Sequence, residues 1–115
     1  LFSDQGDIVD GTLVVRTAND GDTRVISLCG ELDLANAATA EAALDNALGA
    51  NGAQVVIDMQ ELEFIDSTGI ALLVSALGRD EGEDRVRFVP STSPAVTRVL
   101  ELTGLAKRLP LADPS

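Results

Sequence analysis

The residues best equipped for chemistry sit together in FIDSTG, Phe64 to Gly69. One carboxylate, Asp66, precedes two hydroxyls, Ser67 and Thr68. The apolar-rich run VVIDMQELEFI leads into them, and IALLVSAL follows. Oxygens at the mouth of a helix have an ordinary use. They accept bonds from the first unpaired backbone N–H groups, for roughly 1 kcal/mol. A hydroxyl there can also serve as a switch. With Asp58 upstream, Asp66 and Ser67 suggest a cation site or an enzyme nucleophile. Other residues weigh against that reading. The chain has no His and one Cys, so it can build neither a Ser-His-Asp triad nor a zinc site of imidazoles or thiolates. No base is on hand to activate Ser67, and Asp58 and Asp66 lie on different sides of a loop. Neither glycine-rich phosphate motif occurs. No catalytic residue, metal or cofactor is expected.

The chain has 115 residues, about one domain. Hydrophobic residues make up 45%, enough for a core, but only three are aromatic, so that core is built from Val, Leu, Ile and Ala. Acidic residues outnumber basic ones 19 to 8, a formal net charge of −11. Such a surface repels nucleic acid and anionic membranes. It suits a partner that carries positive charge, although acidity also serves solubility alone. No run of about 18 apolar residues is present. The opening LFSDQGDIVD is acidic and unlike a secretory signal. The single Cys29 excludes an internal disulfide and reads as a packing residue in an apolar strand. A cytoplasmic protein is expected.

Several elements must position FIDSTG. Residues 1–10 read as a loose lead-in. Thr12–Thr17 and Arg24–Gly30 read as strands of a hairpin, bent at Asp20-Gly21. Ala40, Ala43, Leu44, Ala47 and Leu48 form a helical stripe. Asp33 or Asn36 can cap that helix, and Gly49 can close it. Gln54–Met59 reads as a strand buried on both faces. After FIDSTG, Ile70, Leu73, Val74 and Leu77 make a core stripe, with Gly78 near its end. Ala71, Leu72, Ser75 and Ala76 fall on the other side. Leu72 there either joins Ser67 and Thr68 in a docking patch or is covered by a neighbouring loop. Gly69 costs roughly 1 kcal/mol against Ala in a helix, and it clears space around the hydroxyls. Arg85–Pro90 is a further strand, and Ser93-Pro94 opens a last helix. Gly104-Leu105 has the order of a Schellman ending, and KRLPL suits an edge strand. The order β-β-α-β-α-β-α(-β) predicts an α/β domain. Its mixed sheet has four to five strands packed against helices.

Three segments resemble the STAS family, specifically bacterial anti-sigma factor antagonists: GELDLANA (Gly30 to Ala37), VVIDMQELEFIDSTGIALLVSA (Val55 to Ala76) and PSTSPAVTRVLELTGL (Pro90 to Leu105). D-S-[ST]-G alone is a short pattern. In this context, with GELD upstream and SPAV…TGL downstream, it is specific. Thr68 stands where a second Ser is commoner. The resemblance implies a STAS-like domain over residues 11–111, with a tail at 112–115. It implies phosphorylation of Ser67 and a partner-binding surface that includes Asp33, Asn36, Asp66, Thr68, Gly69 and Leu72. The implied partners are an anti-sigma factor that is also a serine kinase, and a PPM-type serine phosphatase. Binding would be exchanged for release on phosphorylation. The family also implies an alternative, an interaction module from an anion transporter tail or a stress-signalling scaffold.

Overall fold

Two Asp-Gly steps ten residues apart shape the start of the chain. The structure, a computed structural model, describes residues 3–49, 53–80 and 84–112. Strand β1 (Ser3–Asp10) turns through Gly11-Thr12 into β2 (Leu13–Asp20), which turns through Gly21-Asp22 into β3 (Thr23–Leu32). Gly11 and Gly21 have φ of 60° and 62°. A positive φ at the first loop position suits two-residue hairpins. Residues 3–10, expected as a loose lead-in, are therefore a paired edge strand. Asp7 forms an ion pair with Arg16 at 3.3 Å. The Thr39 hydroxyl donates to Asp10 Oδ2 at 2.6 Å, tying the strand's end to the first helix.

The remaining elements are α1 (Ala37–Leu48), β4 (Gln54–Asp58), β5 (Leu62–Ile65), α2 (Ser67–Asp80), β6 (Val86–Val89) and α3 (Pro94–Leu102), then a 3₁₀ turn at Leu105–Lys107. The sheet runs β1-β2-β3-β4-β6, and β5 also pairs with β3. The first two pairings are antiparallel and the others parallel. The sheet is mixed, as expected, but has six strands among the described residues, not four or five. Lys107 to Leu111 forms no strand of its own. Leu111 makes a single parallel bridge to Phe88.

Strand β5 is the addition that matters most for the site. β3 is ten residues long. Its first half pairs with β4 and its end, Gly30–Leu32, pairs with β5. β4 and β5 thus share one edge of β3 in series. A Cβ on Gly30 would lie 2.1 Å from the Thr12 carbonyl oxygen, so only glycine allows the crowded bend where β2, β3 and β5 meet.

One sheet face carries the core. Val15, Leu28, Ile57 and Phe88 meet Leu44, Leu72, Leu73 and Leu100 from the helices in a single cluster. The other face is partly exposed. Cys29 lies there, half-buried opposite Val14, and not in the core. Burial pushes its thiol above the usual range, and the Glu61 carboxylate adds to the shift.

Candidate functional site

Ile65 ends β5 and Ser67 begins α2, so Asp66 is the single residue between strand and helix. Its Oδ1 accepts the N–H of Thr68 at 2.9 Å and of Gly69 at 3.0 Å. The helix cap is therefore Asp66. Ser67 is exposed, and neither its hydroxyl nor that of Thr68 forms a hydrogen bond among the described residues. Thr68 is half-buried.

Gly69 is buried. A Cβ there would lie 2.5 Å from Ile65 Cγ1 and 3.0 Å from Leu32 Cδ2. The space it clears is on the core side, where the helix start presses onto the ends of β5 and β3. The hydroxyls do not need it.

The turn between β3 and α1 completes the site. Asp33 Oδ1 accepts the Ala35 N–H at 3.0 Å, and the Asp33 carbonyl accepts from Asn36 and Ala37. Asn36 is only 2% exposed. Its Nδ2 donates to the Glu31 carbonyl and its Oδ1 accepts the Asp33 N–H, both at 2.9 Å. Asn36 makes no side-chain cap bond. It shapes the turn from beneath and presents little surface to a partner. Leu34, at the turn's tip, is 77% exposed. It is absent from the expected partner-binding residues. The available signal was an isolated Leu among turn formers, outside the helical stripe of α1.

Helix α2 is rotated from its expected setting. Leu72, Leu73 and Ala76 are buried, Ile70 and Leu77 only partly, and Val74 is 42% exposed. The cause is α1, which packs beside α2 so that the helix is covered from the sheet and from one flank. Leu72 is buried in the core cluster and lines a small internal gap with Leu44, Ile26 and Leu73. It belongs to the core and is no protruding docking residue. It also floors an open groove of about 490 Å³ between α1 and α2, lined by Leu34, Ala38, Thr68, Ala71 and Ser75.

The site is electronegative and unpaired. Ion pairs among the described residues include those joining Asp7, Asp45 and Asp84 to arginines. None engages Asp33 or Asp66. Asp58 turns its carboxylate to the N–H of Gln60.

A family model described as "Mlab, STAS domain" matches residues 15–112. The chain belongs to the STAS-domain family. Among its relatives, this STAS domain is 30% identical over 96 residues to the anti-sigma-F factor antagonist RsfB of Mycobacterium tuberculosis, covering 84% of this chain and 78% of the relative. A crystal structure of an anti-sigma factor antagonist from Mycobacterium paratuberculosis superposes with a TM-score of 0.76 at 30% identity, covering 90% of this chain and 86% of that one. The anti-sigma factor antagonist SpoIIAA, in its unphosphorylated form, shares the fold with a TM-score of 0.71 at 24% identity, over 87% of this chain and 89% of that one.

Proposed function

We propose that this STAS domain is an anti-sigma factor antagonist that works by partner switching. Unmodified, it binds an anti-sigma factor that is also a serine kinase, and so releases a sigma factor. The kinase then modifies Ser67. The Ser67 hydroxyl oxygen attacks the γ-phosphorus of ATP, an O–P bond forms, and the bond to the ADP oxygen breaks. The hydroxyl proton passes to a base of the kinase. A PPM-type phosphatase hydrolyses the phosphoserine and restores the antagonist. In this role the protein is ligand and substrate, not enzyme, and it acts in the cytoplasm.

One observation carries the reading. Asp66 takes the capping role, which leaves the exposed Ser67 hydroxyl free for modification. A phosphate adds about −1.5 to −2 charge. The helix start tolerates an anion, so the fold survives. A desolvated interface does not, because the charge would be buried beside Asp66, which has no ion-pair partner among the described residues. Relatives named as anti-sigma factor antagonists support the same role.

The test is intact-mass spectrometry after incubation with ATP and the anti-sigma kinases of the source genome. One added phosphate, placed on Ser67 by fragmentation, is expected. Ser67→Ala should bind the kinase as the unmodified protein does, and Ser67→Asp about a hundredfold more weakly, near 3 kcal/mol. Equal affinity of the two variants would end the phosphoswitch reading.

A further inference from the structure

Asp66 holds two separate segments with one carboxylate. While Oδ1 caps α2, Oδ2 accepts the backbone N–H of Leu34, 32 residues upstream, at 3.1 Å. The other bonds of the Asp33–Asn36 turn are local or run back to Glu31. Nearby, the Asp66 N–H donates to the Leu32 carbonyl at 3.2 Å. That bond is backbone to backbone and does not depend on the carboxylate. The tip of the turn, with its exposed Leu34 side chain, is thus tied to α2 through the residue that precedes Ser67.

We propose that Asp66 is a positioning residue that relays the charge state of Ser67 to Leu34, an apolar contact for the partner. The proposal rests on the reading of Ser67 as the modified residue. A phosphate on Ser67 sets a second anion beside the carboxylate and competes with Oδ1 for the N–H groups of Thr68 and Gly69. Oδ1 and Oδ2 belong to one planar group. The carboxylate cannot turn away from the phosphate with one oxygen and keep the other in place. Leu34 therefore loses its anchor, and release has two parts: new charge at Ser67 and an apolar contact no longer held in position.

The relay can be tested in the free protein by amide exchange with water, followed by NMR. Ser67→Asp supplies the charge without a kinase. The Leu34 N–H of that variant should exchange about tenfold faster than in the parent, as expected for loss of a hydrogen bond to a charged group. Asp66→Asn keeps an oxygen for the cap but presents an NH₂ group to Leu34. It should speed Leu34 exchange to a similar degree, and adding Ser67→Asp should then change little. Circular dichroism confirms that each variant is folded. Unchanged Leu34 exchange in Ser67→Asp overturns the relay, as does simple additivity of the two substitutions. Because no kinase is present, failure here leaves the antagonist reading intact. Failure of the kinase-binding test leaves the measured coupling intact.

Discussion

Asp66 and Ser67 are adjacent, and both are good caps, so sequence alone leaves open which oxygen serves the helix. The choice depends on where β5 ends, and that is fixed by its pairing with the end of β3. Once Asp66 takes the role, the two neighbours should behave differently. Asp66→Ala loses the acceptor for the Thr68 and Gly69 N–H groups of the cap and for the Leu34 N–H, and should cost about 1–2 kcal/mol. Ser67→Ala removes an exposed hydroxyl without a partner and should stay within about 0.5 kcal/mol of the parent. Urea denaturation at constant m-value checks both. The reverse order would make Ser67 the cap and remove the main support for a switch. Asn36 teaches a related lesson. Its type marked a cap or a partner contact, but at 2% exposed it spends both polar ends on the turn.

At the scale of the element, the existence of α2 was legible and its rotation was not. Its apolar positions run nearly around the helix, so a stripe through Ile70, Leu73, Val74 and Leu77 was as consistent as one through Leu72, Leu73 and Ala76. The deciding contact is with α1, a tertiary fact with no local signal. Leu72→Ala should therefore cost about 2–5 kcal/mol as a core truncation. Val74→Ala should lie within about 0.5 kcal/mol of the parent, since the side chain is 42% exposed. Gly69→Ala sets two terms against each other. Helix propensity gains up to about 1 kcal/mol, while overpacking against Ile65 and Leu32 costs about 1–3 kcal/mol. The neighbours are buried side chains that cannot swing into solvent, so overpacking should win and the midpoint should fall. Thermal and urea melts of the three variants test the observed rotation as a set. A neutral Leu72→Ala with a costly Val74→Ala would restore the stripe read from the sequence.

For the whole molecule, alternation of strands and helices fixed the class, and two strands escaped it. β1 carries acids through SDQGDIVD and leaves Ile8 and Val9 exposed, so no apolar face announces a strand. Its Asp-Gly turn was the usable sign. β5 has four residues, too few to show a period, and exists because β3 is long enough to pair twice. The net charge of −11 is visible without any structure, and its consequence belongs to this scale. Acids on the protein's surface should steer a basic partner during encounter and matter less once the contact is formed and dry. The screening length falls from about 10 Å at 0.1 M salt to about 3 Å at 1 M. The rate constant for association with the anti-sigma factor should then fall about tenfold between low and high salt, while dissociation changes by less than about threefold. Stopped-flow mixing across a salt series measures both. An association rate indifferent to salt would reduce the acidic surface to a solubility device, and recognition would then rest on the groove and on Leu34.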